Sequence, residues 1–540
     1  MVAAHRETER KYEAGSAVLT LPSLAGLPRV ASVSAAEQET LEAGYYDTDD
    51  LRLIRSGVTL RRRRGGHDEG WHLKLPAGRD SRWELRHPLE PAGSPAGSEV
   101  PGELADLAWA YRRGRPLRPV AHLTTVRSRR ILADETGSSL AEVVTDDVSA
   151  QTLGRVTAIT RWQEVEFELT GGDEDLLEAA DQRLRGAGLR PAGYSAKLER
   201  ALAGLLPPGA SAGPSSDGET RPDDRPTKAG PTGSPGPRGS TSADTVLVYL
   251  RNVYQTMQGF DPQVRRDAPD SVHQMRVAIR RLRSTLQSFG AILRPEATAH
   301  LRDELKWLGT VLGESRDAEV MDEQLQAWRR QEPAGLVMGP VAARIRAHLA
   351  PRQAGARRAL LDALRSDRYA ALLDNLDRLL EEPPLTGPMT RTPTGMGAAP
   401  ARDELTYAVG QAYRRVRRRM RRAQKAPAGR EREIALHETR KAAKRARYAA
   451  EAVQPVFGRP ARKFARRMKR MQSVLGEHQD AVVIRATARD LGVAAFSAGE
   501  NAFPYGLLYG REDAATISLQ HRARRVWKQS SRRKHRHWLG

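Results

Sequence analysis

Charged residues alternate with other residue types in two short segments, one near the start of the sequence and one between residues 164 and 168. The first row is Glu7, Glu9 and Lys11, and the second is Glu164, Glu166 and Glu168. Residues two apart on a β-strand share a face, so each row would lie on one face of a strand. Carboxylate oxygens are ligands that Mg²⁺ and Mn²⁺ prefer, and lysine and arginine bind phosphate oxygens. The two rows predict a site for a metal ion together with several phosphate groups.

Further segments carry charges at the same spacing. They contribute Arg61 with Arg63, His72 with Lys74, Arg82 with Glu84 and Arg86, and Arg127 with either Arg129 or Arg130. Exposure to solvent would explain the charged face of a single strand, but it explains charged faces on five or six strands less well. The segment with three glutamates also carries Val165, Phe167 and Leu169 on its opposite face. If the apolar faces pack outward against helices, the charged faces line the interior of a barrel.

Short strand patterns separated by turn signals dominate residues 1–206. The predicted strands are 6–13, 57–64, 71–76, 81–89, 124–132, 140–146 and 161–169. Helical periodicity is limited to residues 100–113 and 173–187. Many strands with few helices predict an antiparallel barrel or sandwich.

The composition excludes several classes of protein. The 540-residue chain has no cysteine, which excludes disulfides, thiolate nucleophiles and cysteine-ligated metal sites. No apolar run approaches the roughly 18–20 residues of a membrane span, and the charged N-terminus does not resemble a signal peptide. We therefore expect a soluble, cytoplasmic protein without a membrane partner.

Charge is distributed unevenly along the chain, whose formal net charge is +22. Residues 1–206 carry 28 basic and 31 acidic side chains, and residues 207–243 carry four of each. Residues 244–540 carry 56 basic and 31 acidic side chains. The middle segment is rich in Gly, Pro, Ser and Thr, which predicts a flexible linker between two domains. The basic excess of the last segment indicates a polyanionic partner.

The segment 244–530 is predicted to be helical and contains an internal repeat of basic residues. The matching sets are His273, Arg276, Arg280 and Arg283, then His437, Arg440, Lys444 and Arg447. Residues 305–321 also recur as 468–484, which places Lys306 and Lys469 at matching positions. Helix positions i, i+3, i+7 and i+10 form one stripe, so each repeat carries a basic stripe. A solvated helix face would explain one stripe, whereas its recurrence favours a ligand surface.

Two further boundaries are predicted in the helical half. A Pro- and Gly-rich stretch near 383–400 would join two helical sub-bundles. A basic tail is assigned to residues 531–540. The very basic segment HRARRVWKQSSRRKHRHW (521–538) is interpreted as a disordered end, with nonspecific nucleic-acid binding as the alternative.

Residues 1–205 resemble the CYTH, or triphosphate tunnel metalloenzyme, superfamily. The resemblance rests on the ExExK pattern of Glu7, Glu9 and Lys11, on YYDTDDLRLIRSGVTLRRR (45–63), WHLKLP (71–76), EVEFEL (164–169) and SAKLER (195–200). The family implies an eight-stranded antiparallel tunnel that hydrolyses triphosphate-containing substrates with Mg²⁺ or Mn²⁺. Adenylate cyclase and thiamine triphosphatase activities also occur on this tunnel.

The resemblance implies roles for individual residues. The implied metal ligands are Glu7, Glu9, Asp146, Glu164 and Glu166, with Glu168 as an alternative in the last strand. The implied phosphate-binding residues are Lys11, Arg61, Arg63, Lys74, Arg127, Arg129 or Arg130, and Lys197. The residues assigned to catalysis are Glu7, Glu9, Lys11 and Lys74.

Residues 245–525 resemble the CHAD domain, an α-helical module often fused to CYTH. The resemblance rests on VHQMRVAIRRLRSTLQSF, LGESRDAEVM and LHETRKAAKRARY. The family implies two four-helix bundles related by a pseudo-twofold axis, with a basic pore or groove that binds inorganic polyphosphate. The implied ligands are His273, Arg276, Arg280, Arg283, Lys306, His437, Arg440, Lys444, Arg447 and Lys469. Asp317 and Asp480 would orient the arginines, and the protein would be associated with polyphosphate granules.

The sequence thus predicts a two-domain α+β protein with three competing functions. The first is hydrolysis of a triphosphate in the tunnel, with polyphosphate bound by the helical half. Inorganic triphosphate is favoured because no aromatic pair or Asn group that would recognise a base is evident. The second function is polyphosphate binding with a weakly active or inactive tunnel. The third is nonspecific nucleic-acid binding by the basic half.

Overall fold

The computed structural model describes residues 3–13, 21–77, 80–89, 99–154, 157–206, 241–386 and 398–539. The chain divides into two compact units, residues 1–225 and 226–540. Residues 207–240 of the predicted linker at 207–243 lie outside the described residues. Residues 387–397 of the predicted join near 383–400 also lie outside them.

The first unit contains a closed antiparallel barrel. Its strands are β1 (Ala3–Glu13), β2 (Ser32–Val33), β3 (Glu37–Asp47), β4 (Thr59–Arg64), β5 (Gly70–Pro76), β6 (Ser81–His87), β7 (Arg118–Ala133), β8 (Ser139–Thr152), β9 (Ile159–Leu169) and β10 (Arg190–Pro191). Eight strands follow the order β1-β6-β5-β4-β3-β7-β8-β9, and β1 pairs with β9 to close the ring. The short strands β2 and β10 pair with β7 and β1. The predicted eight-stranded barrel is confirmed.

Strand register brings charged residues of neighbouring strands side by side. Arg127 of β7 lies opposite Asp146 of β8, which in turn lies opposite Glu164 of β9. Across the seam that closes the ring, Glu9 of β1 lies opposite Glu168 of β9. Because directly opposite side chains on paired strands point to the same side of the sheet, these residues line one face.

Helices pack against the strands of the barrel. They are α1 (Arg52–Arg55), α2 (Gly102–Leu107), α3 (Trp109–Arg112), α4 (Glu174–Gly186) and α5 (Lys197–Ala201). Helices α2 and α3 pack on Leu60, Leu73 and Leu85, and α4 packs on Val165 and Phe167. This outward packing leaves the alternate, charged residues of the same strands facing the interior.

Helix α5 packs on an apolar group of strand residues. Its Leu198 and Ala201 belong to the same core as Leu123 and Trp162. Lys197, the first residue of the helix, is itself buried at 8% exposure. The apolar packing of α5 thus holds a lysine side chain among the barrel strands.

The second unit is helical. Its helices are α6 (Ser242–Arg265), α7 (Ser271–Ser288), α8 (Ala299–Gln331), α9 (Val341–Arg365), α10 (Asp367–Glu381), α11 (Ala398–Lys425), α12 (Arg430–Ala452), α13 (Gln454–Phe457), α14 (Arg459–Ser497) and α15 (Phe503–Ser530), with 3₁₀ turns at 334–336, 533–535 and 537–539. Helices α6 to α9 pack in chain order, as do α11, α12, α14 and α15. Each repeat therefore builds four long helices, and α7 contacts α12 across the two repeats. No helix among the described residues has an apolar stretch long enough to cross a bilayer.

The two repeats share a core at the far ends of their longest helices. Leu325 of α8 and Ile345 of α9 belong to one cluster with Ile484 of α14 and Leu508 of α15. The long helices extend beyond their own bundles, and this shared core joins the two bundles into one unit.

The interpretation of residues 521–538 as a disordered end is wrong, because residues 521–530 belong to α15 and 3₁₀ turns follow at 533–535 and 537–539. The ring of Trp538 lies 5.2 Å from that of Phe457 and 5.9 Å from that of Phe464. The guanidinium of Arg536 lies 5.5 Å from the centre of the Tyr413 ring. Aromatic side chains at the end of the tail hold it against the bundle despite its charge.

Candidate functional site

Three carboxylates surround one ammonium group inside the barrel. Nζ of Lys197 lies 2.9 Å from Oδ2 of Asp146, 2.8 Å from Oε1 of Glu164 and 2.7 Å from Oε1 of Glu166. All four side chains are buried. Although burial alone would lower it, the three carboxylates raise the pKa of Lys197 well above its usual value. Lys197 is therefore a permanent cation at the centre of this group.

A second cation neutralises the same carboxylates. Arg127 forms two parallel hydrogen bonds to Asp146, of 2.8 and 2.7 Å, and its Nη2 lies 3.1 Å from Glu166. Lys11 also contacts Glu166. Burial would raise the pKa of Glu166, but Lys11, Lys197 and Arg127 hold it well below the usual value. Protein cations thus contact all three carboxylates of Asp146, Glu164 and Glu166.

Glu7, Glu9 and Glu168 form a second acidic group at the seam, with less positive charge around it. Lys74 donates to both oxygens of Glu7, at 2.8 and 2.7 Å, and Nζ of Lys11 lies 3.1 Å from Glu9. Among the described residues, no ion pair is formed by Glu168. Burial, followed by the charge of Glu7, raises the pKa of Glu168 to about 8. Glu168 is therefore mostly protonated at neutral pH in the absence of a metal, and a bound cation would favour its ionised form.

Cationic side chains also line the interior on β4, β5 and β7, and two of them contact the acidic groups. They are Arg61, Arg63, Lys74, Arg127 and Arg129. Nη1 of Arg61 lies 3.5 Å from the hydroxyl of Tyr45, and the Arg61 charge lowers the pKa of that buried tyrosine against the effect of burial. Nε of Arg129 lies 3.9 Å from Glu142. Arg129 and not Arg130 shares the face of Arg127, since Arg130 lies opposite Val143 of the outer core.

The acidic residues therefore lie on the consecutive strands β8, β9 and β1, and the arginines lie on β4 and β7. Glu84 of β6 is already bound, because its oxygens lie 2.8 Å from Nδ1 of His72 and 2.5 Å from Nε of Arg86. A barrel interior divided in this way can hold a metal ion against one wall and phosphate oxygens against the other.

Both acidic groups have the oxygen donors that a hard divalent cation prefers. One ligand oxygen each from Asp146, Glu164 and Glu166 lies within 4.8 Å of the others, which is close enough for a shared ion. That position is also the one that Lys197 contacts. At the seam, Glu168 offers an oxygen donor without an ion-pair partner among the described residues. The donor chemistry therefore fits a divalent metal.

The basic stripes of the two repeats meet between α7 and α12. Nη1 of Arg276 lies 2.8 Å from Oδ1 of Asp317, and the charge of Asp480 acts on Arg440 in the other repeat. Burial, followed by the charges of Arg440, Arg280 and Arg276, lowers the pKa of Lys444 to about 6. Cations from both repeats are thus close enough to repel one another, which favours binding of an anion.

The other predicted polyphosphate ligands lie elsewhere on α7 and α12, or on α8 and α14. Nδ1 of His437 lies 2.7 Å from Oε1 of Gln479, and Nε of Arg447 lies 2.6 Å from Glu451. The remaining ones are His273 and Arg283 on α7, Lys306 on α8 and Lys469 on α14. Lys306 and Lys469 are exposed at matching positions.

Family models match both halves of the chain. The CYTH domain model matches residues 5–194, and the CHAD domain model matches residues 248–489. The chain belongs to the CYTH–CHAD fusion proteins. CYTH domains form a metal-dependent family of triphosphate-acting hydrolases and cyclases, and CHAD domains are associated with polyphosphate.

Similar proteins cover either the whole fusion or one of its domains. An uncharacterized protein of Mycobacterium tuberculosis is 38% identical over 532 residues, which are 94% of this chain and 93% of that protein. PptA from Streptomyces chartreusis matches 54% of this chain and 100% of its own, with 21% identity and a TM-score of 0.44. The CHAD domain from the plant Ricinus communis matches 52% of this chain and 92% of its own, with 26% identity and a TM-score of 0.39.

A pair of glycines in the CHAD domain was not singled out from the sequence. A Cβ atom on Gly313 would lie 3.0 Å from Nη2 of Arg276, and one on Gly476 would lie 3.2 Å from Nη2 of Arg440. Arg276 and Arg440 therefore lie directly against α8 and α14, the helices that carry the second repeated motif. The signal was present, because both glycines follow a leucine in the repeated LGE sequence.

Proposed function

We propose that the CYTH domain hydrolyses a triphosphate with Mg²⁺ or Mn²⁺, and that inorganic triphosphate is its substrate. The observation that carries this proposal is the division of the closed barrel into an acidic wall and a cationic wall. Arg61, Arg63 and Arg127 would bind phosphoryl oxygens, with Lys74 and Arg129 beside them. Their fixed positions would stabilise the negative charge that develops on those oxygens during transfer to water.

The seam group of Glu7, Glu9 and Glu168 is the proposed metal site. It is favoured over Asp146, Glu164 and Glu166 because Lys197 contacts all three of those carboxylates, whereas Glu168 at the seam forms no ion pair among the described residues. A bound divalent ion would supply charge neutralisation for the phosphates and an activated water. Lys11 and Lys74 would then orient the carboxylates of Glu9 and Glu7.

Phosphate release by the purified full chain tests this function. Inorganic triphosphate, ATP, thiamine triphosphate and long-chain polyphosphate are compared, each with Mg²⁺ and with Mn²⁺. We expect turnover of inorganic triphosphate to exceed turnover of the other three substrates. The interior residues described above are charged and would bind phosphates rather than a nucleobase. Absence of metal-dependent release from every substrate would leave polyphosphate binding as the function of the chain.

We further propose that the CHAD domain binds inorganic polyphosphate along the two stripes. The support is the approach of Arg276, Arg280, Arg440 and Lys444 between α7 and α12, where burial and the neighbouring cations lower the pKa values of the last three. A chain of phosphates would relieve this repulsion at several positions at once. Competition between polyphosphate and duplex DNA, at equal phosphate concentration and moderate salt, separates this proposal from nonspecific nucleic-acid binding.

The substitution Lys444→Met is expected to raise stability and weaken polyphosphate binding. The folded-state pKa of about 6 lies below the usual value, so charging Lys444 disfavours the folded state. That penalty is complete below pH 6 and disappears as the pH rises towards the usual lysine pKa. The gain in melting temperature over the wild type should therefore be larger at pH 6 than at pH 9. Calorimetry at the two pH values measures it, and a gain that is equal at both would contradict the assignment.

Alanine at Gly313 or Gly476 is expected to weaken polyphosphate binding about three- to tenfold without loss of stability. The new Cβ would displace the guanidinium of Arg276 or Arg440, while alanine favours the helix by about 1 kcal/mol. Gly309→Ala is the matched control, because its Cβ would meet Ile279 at 3.4 Å and no stripe arginine. Titration calorimetry with polyphosphate is the measurement. Equal affinity of all three variants would show that the arginine positions do not matter.

A further inference from the structure

A basic cavity of about 480 Å³ lies between the end of α12 and the first turns of α14. Its lining residues are Arg447, Glu451, Gln454, Arg459, Arg462, Ala465, Arg466 and Lys469. Five of these are cationic and one is acidic, so the cavity has a strong net positive charge. Arg447 belongs to the basic stripe of the second repeat, and Lys469 is a further predicted polyphosphate ligand of that repeat. The cavity therefore adjoins the proposed polyphosphate surface at these two residues.

Most of the cavity's cations have no counterion among the residues that the structure describes. Glu451 is shared by Arg447, at 2.6 Å, and Arg281, at 3.3 Å. In the described part of the chain, no ion pair is formed by Arg459, Arg462, Arg466 or Lys469. Burial, followed by the charges of Arg470 and Arg466, lowers the pKa of the adjacent Arg467. The cluster therefore carries uncompensated positive charge that an anion would neutralise.

The first repeat has no matching cluster of cations at these positions. At the offset of the second repeated motif, Arg462 and Arg466 of α14 correspond to Ala299 and Asp303 of α8. The next position, Arg467 in α14, is Glu304 in α8, and Glu304 accepts two hydrogen bonds from Arg368. The basic stripes are duplicated, but the basic cavity beside them belongs to the second repeat.

The lining residues favour a bare phosphate chain over a nucleic acid. None of them is aromatic, whereas proteins that hold single-stranded nucleic acids generally stack bases on aromatic side chains. The cationic groups are arginines and a lysine, which bind phosphate oxygens in any register. Continuity with the stripe through Arg447 and Lys469 indicates that the same ligand occupies both.

We propose that this cavity is an additional binding site for polyphosphate, occupied by the part of a long chain that extends past the stripe of the second repeat. The proposal rests on the proposed binding of polyphosphate to the CHAD domain. Binding of a long chain would then be asymmetric, because the chain gains extra contacts at one end of the stripes and not at the other.

The test converts the cavity to the sequence of the first repeat with Arg462→Ala and Arg466→Asp. Binding of long-chain and short-chain polyphosphate to the full chain is measured by fluorescence anisotropy, with a chelator present to prevent hydrolysis. We expect long chains to bind about tenfold more weakly, with short chains unaffected because they fit within the stripes. By analogy with single-stranded nucleic acids, the salt dependence for long chains should fall by about 0.7 per lost contact.

Arg415→Ala with Arg418→Asp is the matched control, because it makes the same change in charge on the exposed face of α11. Circular dichroism verifies that both variants keep the helical fold. Wild-type affinity of the cavity variant for long chains would overturn the proposal. So would equal losses in the cavity and control variants, equal losses for long and short chains, or a loss confined to duplex DNA. Failure of the wild type to bind polyphosphate would overturn the proposed CHAD function and this inference together.

Discussion

Replacement of both Glu7 and Glu9 by glutamine is expected to lower kcat/KM for inorganic triphosphate by about 10³ or more. The reason is that glutamine keeps the shape of the side chain but removes the negative charge from the proposed metal site. Lys74 and Lys11 would also lose the carboxylates that hold them, at 2.7 and 3.1 Å. Steady-state phosphate release at saturating Mg²⁺ or Mn²⁺ is the measurement.

Glu178→Gln is the control for this variant. Glu178 lies on α4, outside the barrel, where it accepts a hydrogen bond from Arg10 at 3.1 Å. Its replacement should leave kcat/KM unchanged. Full activity in the Glu7→Gln, Glu9→Gln variant would contradict hydrolysis at the seam.

The substitution Lys197→Met is expected to lower the stability of the barrel by about 3–5 kcal/mol. Methionine retains the length of the side chain but leaves three buried carboxylates facing one another without their shared ammonium group. Hydrogen exchange of the most protected amides in β8 and β9 should accelerate by about 10²–10⁴, if exchange proceeds through global opening. Added Mg²⁺ should restore part of the protection, since the carboxylate oxygens lie close enough to share an ion.

Arg29→Met is the control that shows how much of the loss in stability depends on burial of the charged groups. Arg29 forms a 3.4 Å pair with Asp173, and both side chains are more than half exposed. An exposed pair of this kind contributes less than about 1 kcal/mol, so exchange in β8 and β9 should not change. An equally small effect of Lys197→Met would mean that the three carboxylates are neutralised by other means, with Arg127 as the main remaining cation.

Much of the barrel was predictable, because two-residue charge alternation and apolar alternation on the opposite face both follow from strand geometry. The interior rows on β1, β7 and β9 follow from this rule alone. Strand β3 was not among the predicted strands, since its Glu, Ala and Gly residues have weak strand propensity. Its position depends on pairing with β4 and β7, which local sequence does not encode.

The site was less predictable than the fold. The choice among Glu164, Glu166 and Glu168 depends on which cation reaches each carboxylate, and Lys197 comes from a helix after the last long strand. Its side chain reaches Glu166 across 31 positions of sequence, so no spacing rule could assign that contact. In the CHAD domain the stripes were visible from helical periodicity, but their approach depends on the packing of α7 against α12.

Closure of the barrel through β1 and β9 has a consequence for how the protein folds. Lys11 and Glu166 are 155 residues apart in sequence, yet their strands are neighbours in the ring. Contacts of such separation form slowly, because a long loop must be closed before they stabilise anything. During synthesis, Glu7 and Glu9 leave the ribosome long before Glu168 does. The nascent chain therefore acquires its proposed metal site only when the last long strand is in place.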